Sequence, residues 1–117
     1  MQLNENGLKD REKWESAGYR LPGFDRIKVA EETKKDPFWI HFGAGNIFRA
    51  FQANVVQELL DSGDLDRGLI AAEGYDYEII EKMNHPHDDL SILVTLKADG
   101  NIEKTVVGSV VESLILD

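Results

Sequence analysis

The sequence predicts an α/β fold, in which a strand, a helix and a second, parallel strand are followed by a β-hairpin. Three observations carry this expectation. Residues 38–42 form a short, nearly all-apolar run that turns on Gly43-Ala44-Gly45 into helically spaced apolar residues. Residues 68–73 form a second apolar run of strand length, ending in Glu73. Residues 90–96 and 102–107 flank Ala98-Asp99-Gly100-Asn101, and Asp-Gly between two extended runs is a hairpin signal.

Taken in order, residues 1–7 read as loose, and residues 8–17 as a short charged helix whose large apolar groups are Leu8 and Trp14. Residues 18–23, with Tyr19, Leu21 and Pro22, read as an extended connector. Asp25 is placed to cap a helix running to about Lys35, with Ile27 and Ala30 facing inward, and Asp36-Pro37 ends it. The strand at 38–42 has the composition of one buried on both faces. After it, Ile47, Phe51, Val55 and Leu59 recur every four residues, flanked on one side by Phe48, Val56 and Leu60. Gln52, Asn54, Gln57, Glu58 and Asp61 then take the other faces, and Ser62-Gly63 supplies a left-handed stop. Residues 64–67 are a polar loop. The unit 38–73 is thus a crossover, which is normally right-handed and joins parallel strands. Residues 76–83 suit a short helix carrying Ile79, Ile80 and Met83. Val110, Val111, Leu114, Ile115 and Leu116 fit either a helix or a further strand.

The 117 residues suffice for one small domain. A net charge of −9, spread along the chain, argues against nucleic-acid binding, which needs a basic face. The absence of cysteine removes disulfides, thiol nucleophiles and cysteine-ligated zinc. No apolar run reaches the roughly 18 residues of a membrane span. The first eleven residues lack the apolar core of a secretion signal, so the expectation is a cytoplasmic protein.

The turn at Gly43-Ala44-Gly45 carries the chemistry. A strand that turns on Gly-x-Gly into a helix presents unpaired backbone N–H groups to an anion. Gly43 lets the chain turn, and Gly45 lets a pyrophosphate approach the backbone with no Cβ in the way. Phe48 stands where the generic dinucleotide fingerprint has its third glycine. Glu73, ending the second strand, is the candidate acceptor for adenosine ribose hydroxyls; Asp76 competes, with a helix N-cap as its plain structural alternative. An acidic residue there repels a ribose 2′-phosphate by a few kcal/mol at about 4 Å, which favours NAD over NADP. Arg49, a cation early in the helix, favours a nearby anion or else pairs with a surface carboxylate. His41 reads as a packed core residue, and His85-Pro86-His87-Asp88-Asp89 as a solvated turn rather than a metal site. No catalytic arrangement is recognisable.

The run Gly43-Ala44-Gly45-Asn46-Ile47-Phe48-Arg49-Ala50-Phe51-Gln52 resembles the N-terminal motif of the mannitol dehydrogenase family. That family reads Gly-x-Gly-Asn-Phe-x-Arg-Ala-x-Gln, with a bulky residue in place of the third glycine; Ile47 departs from its usual phenylalanine. The resemblance covers residues 38–117, including a strand–turn–strand segment from Leu90 to Val111. It implies a partial Rossmann-like NAD-binding domain preceded by an N-terminal helical extension over 1–37. Gly43, Gly45, Asn46, Ile47 and Phe48, with Arg49 beside them, would form the pyrophosphate loop, and Glu73 or Asp76 the ribose contact. The implied activity is hydride transfer between NAD, less readily NADP, and a polyol or aldonate or its ketose or keto-uronate. The family's catalytic lysine and its Val-Asp-Arg signature have no counterpart here, so a fragment without activity of its own is expected. The alternative is a stand-alone nucleotide-binding regulatory module.

Overall fold

The computed structural model describes residues 1–117, and two three-stranded sheets organise them. In one, β2 (Ile40–Phe42), β3 (Leu69–Glu73) and β6 (Val110–Ile115) run parallel in the order β2-β3-β6. In the other, β1 (Tyr19–Arg20) lies parallel to β5 (Ile102–Val107), which pairs antiparallel with β4 (Ser91–Leu96). The β4–β5 hairpin is the one expected, closed by Gly100 at φ 88° and by Lys97 N–H donating to Asn101 C=O. Gly108 and Ser109 carry the chain directly from β5 into β6, joining the two sheets.

The crossover from β2 to β3 supplies the main core. Helices α3 (Asn46–Ala50) and α4 (Gln52–Asp61) place Phe48, Ala53, Val56 and Leu60 in one cluster with Leu69, Ala71, Val107 and Val110. A smaller cluster of Trp14, Leu21, Leu90 and Val106 fastens α1 (Arg11–Ser16) to the second sheet. Asp25 caps α2 (Arg26–Lys35) as expected, its carboxylate accepting from Lys28 N–H at 3.2 Å. Gly63 ends α4 at φ 83°. No helix is long and apolar enough to cross a membrane.

Several elements depart from the sequence expectation, each for a physical reason. The strand at 38–42 is not buried on both faces. It contracts to β2, an edge strand paired only with β3, and Ile40 and Phe42 share an open face on which Phe42 is 73% exposed. Its middle residue, His41, points to the helical side and stacks on Phe48 at 4.1 Å between ring centroids. Apolar composition does not distinguish an edge strand from a central one. The helical stripe is also displaced. Ile47, Phe51, Val55 and Leu59 are exposed, and the flanking row of Phe48, Val56 and Leu60 is the buried one. Ala53 and Gln57 complete that row, and the helix breaks between α3 and α4 at Phe51. Gln57 is not on a solvent face: at 2% exposure it donates to Val106 C=O at 2.8 Å and accepts from Gly108 N–H at 2.6 Å. In α2, Ile27 is exposed, Ala30 is half-buried, and the inward row is Arg26, Val29 and Thr33.

The remaining differences are local. The connector at 18–23 contributes β1, and the ambiguous segment from Val110 is the strand β6. Residues 1–7 are not loose: Glu5 N–H donates to the Asp88 carboxylate, and the Glu5 side chain pairs with Arg26. The expected helix at 76–83 is helical from 77 and widens into a π turn over Ile79–Asn84, which buries Ile80 and leaves Met83 exposed. The 85–89 turn keeps His85, Pro86 and Asp88 exposed, as read, but is also tied into the fold. His87 Nδ1 donates to Leu3 C=O at 2.8 Å and His85 Nε2 to Ser113 C=O at 3.2 Å, while Asp88 and Asp89 both adopt left-handed backbone.

Candidate functional site

The turn after β2 forms at the carboxyl ends of two parallel strands, where open α/β sheets place ligands. Gly43 N–H donates to Ala72 C=O at 2.7 Å, extending the β2–β3 pairing by one residue. The chain then turns with Gly43 at φ 114°, a conformation that disfavours any side chain. His41 Nδ1 donates to Gly43 C=O at 2.9 Å and holds the turn from inside. Gly45 is different. Its backbone is extended, at φ −76° and ψ −179°, and a Cβ built there meets nothing within 4 Å. The chain conformation therefore does not require glycine at 45, whereas a ligand approaching the backbone does.

Beyond Gly45 the amides are free. No hydrogen bond within the chain engages the N–H groups of Gly45, Asn46, Ile47 or Phe48. The Ala44 N–H is 3.4 Å from Glu73 Oε1, a long contact that sets the Glu73 carboxylate beside the turn. Four side-by-side donors with no protein acceptor form a cradle suited to phosphate oxygens.

The structure brings Gly43, Gly45, Asn46, Ile47, Phe48 and Glu73 to this one place. The Ile47 side chain is exposed and the Phe48 side chain is buried in the core, so both face the cradle through backbone N–H groups. Asp76 is exposed three residues beyond Glu73, and its side chain makes no hydrogen bond, so the helix-cap alternative is not realised. Arg49 and Asn46 line one cavity, with Arg49 Nη2 donating to Asn46 Oδ1, and no ion pair joins Arg49 to a carboxylate. Tyr75, 95% exposed just past Gly74, lies close in sequence to Glu73.

Three adjacent parallel strands in the order β2-β3-β6, with the crossover helix leaving a glycine turn, define the first half of a Rossmann-type fold. Solved structures agree. A D-sorbitol dehydrogenase in substrate-free form superposes with a TM-score of 0.76 at 23% identity, over 98% of this chain and 22% of its own. The Pseudomonas fluorescens mannitol 2-dehydrogenase, in ternary complex with NAD and D-mannitol, gives 0.74 at 22% identity, over 98% and 22%. No family model matches the chain. By sequence it is 50% identical over 114 residues to the D-mannonate oxidoreductase of Thermotoga maritima, covering 97% of this chain and 21% of that protein. The chain is thus a sequence relative of that oxidoreductase with the fold of these dehydrogenases, and it spans about a fifth of the length of the relatives it matches.

Proposed function

We propose that this chain is the dinucleotide-binding portion of an NAD-dependent oxidoreductase that interconverts a polyol or aldonate and its ketose or keto-uronate. The observation that carries the proposal is the row of unengaged N–H groups from Gly45 to Phe48, with open space where a Gly45 side chain would stand. The pyrophosphate would lie across Gly43, Gly45, Asn46, Ile47 and Phe48. The Glu73 carboxylate, already beside Ala44, would accept from the adenosine ribose hydroxyls, with Asp76 the outer alternative. Tyr75 offers the adenine a face to stack on. When bound, the nicotinamide supplies the hydride chemistry. The residues described here bind and orient, and none of them is placed to move a proton from a sugar hydroxyl. The sugar substrate therefore belongs to the remainder of a polypeptide of the relatives' length. A cytoplasmic setting goes with this reading.

The choice of NAD over NADP rests on Glu73. Calorimetric titration should show NAD or ADP-ribose binding to the wild type, with NADP at least tenfold weaker. Glu73→Gln should weaken NAD and narrow that gap, because the charge repelling the 2′-phosphate is gone. Equal affinity for both dinucleotides in the wild type would remove the ribose assignment. Turnover of mannonate or mannitol by these 117 residues alone would contradict the division of labour.

A further inference from the structure

His41 stands inside the turn that carries the cradle. We propose that His41 is a positioning residue: through the Gly43–Ala44 peptide it aims the carboxylate of Glu73, and so sharpens the choice between nucleotides with and without a ribose 2′-phosphate. That role presupposes the nucleotide reading above and adds a residue to it.

The chain of bonds is continuous. His41 Nδ1 lies 2.9 Å from Gly43 C=O. A carbonyl only accepts, so this ring nitrogen carries a proton in either charge state of the imidazole. The chain has no cis peptide bond, and in a trans peptide the N–H points opposite to the C=O. Holding the Gly43 carbonyl toward His41 therefore turns the Ala44 N–H the other way, where it meets Glu73 Oε1 at 3.4 Å. With Gly43 N–H on Ala72 C=O, the peptides on both sides of Gly43 are fixed. Gly43 needs such holding. At φ 114° it is a residue free to rotate, and apart from its chain neighbours only His41 Cε1 lies within 4 Å of the place its side chain would take.

The ring is itself held. Phe48 stacks on it with centroids 4.1 Å apart and planes inclined by 17°. Phe48 is buried, and it stands where the generic fingerprint has the third glycine, whose use is close packing of helix on strand. Here an aromatic pair fills that space. Phe48 fixes the ring, and the ring nitrogen fixes the turn.

The test is a calorimetric titration of ADP-ribose and of 2′-phospho-ADP-ribose into the 117-residue chain, as wild type, His41→Phe and His41→Asn. Phenylalanine keeps a ring against Phe48 and removes the donor. Asparagine removes the ring and keeps an N–H donor near the place of Nδ1. In His41→Phe, ADP-ribose should bind about tenfold more weakly, the preference over 2′-phospho-ADP-ribose should narrow, and the Ala44 amide resonance should move. His41→Asn should restore the preference even with a lower melting temperature. A purely structural role predicts the reverse order, with phenylalanine close to wild type, asparagine worse, and both nucleotides weakened alike. Should either variant fail to fold, the wild-type ring decides, because its nitrogen-15 shifts must show a proton on Nδ1. Wild-type affinity and preference in His41→Phe, equal losses for both nucleotides, or a ring protonated on Nε2 alone would overturn the role of His41 and leave the cradle standing. A wild type that binds no ADP-ribose would remove the cradle, and the role of His41 with it.

Discussion

Arg26 does more for the fold than any other charged side chain. Its Nε donates to Gly108 C=O at 2.8 Å, and Nη2 donates to Val110 C=O at 2.8 Å and Asp88 C=O at 2.9 Å. Nη1 holds Glu5. One buried guanidinium thereby ties the N-terminal segment, the β5–β6 junction and the 85–89 turn together. Arg26→Met should cost about 3 kcal/mol in denaturant unfolding, since three carbonyls and a carboxylate lose their donor at once. Glu5→Gln, which leaves the three carbonyl bonds intact, should cost much less. Asp89 gives a signed pH effect. Burial pushes its carboxyl above the usual 3.8, against the lowering influence of Ser113, Asn84, Arg26 and His85. The folded chain therefore holds this proton to higher pH than the unfolded chain. The associated stability is fully present below 3.8 and is lost as pH rises through the raised value. Asp89→Asn suits the left-handed backbone and removes the burden, so its stability relative to wild type should grow as pH climbs through that window. Parallel unfolding curves at all pH values would contradict the assignment.

At the scale of elements, the crossover shows what a sequence does and does not disclose. The strand–turn–helix–strand order was legible because period, glycine turn and cap agree at each boundary: Asp25, Gly43 and Gly63 all act as read. The buried face of α4 was not legible. Two apolar rows lie side by side, and the choice between them rests on Ala53, small enough for close approach, and on Gln57, a polar residue satisfied by the β5 backbone. Neither is apolar enough to register in a hydrophobic pattern. Adjacent leucines test the corrected face. Leu60→Ala should cost about 3 kcal/mol, and Leu59→Ala well under 1 kcal/mol, in chemical denaturation. Comparable losses at both would restore the sequence-based stripe. For the proposed site, Gly43, Gly45 and Glu73 were readable as candidates because their chemistry is local to a strand end. The cavity lined by Arg49, His87 and Ser91 was not, because only the tertiary fold brings those residues together.

Across the whole molecule, two sheets share one continuous chain at Gly108 and Ser109, and the glycine cradle sits where the parallel sheet meets its crossover helix. The central claim is that the amides after Gly45 await a diphosphate. The direct measurement is a titration of the wild-type chain and of Gly45→Val with ADP-ribose, followed through the amide resonances of Gly45, Asn46 and Ile47. A Cβ at 45 meets nothing within 4 Å in the folded chain, so the variant should keep the wild-type circular dichroism and a melting temperature close to wild type. The account predicts saturable shifts at Gly45, Asn46 and Ile47 in the wild type and loss of binding in a variant that remains folded. Unmoved resonances in the wild type, or equal affinity in Gly45→Val, would contradict it.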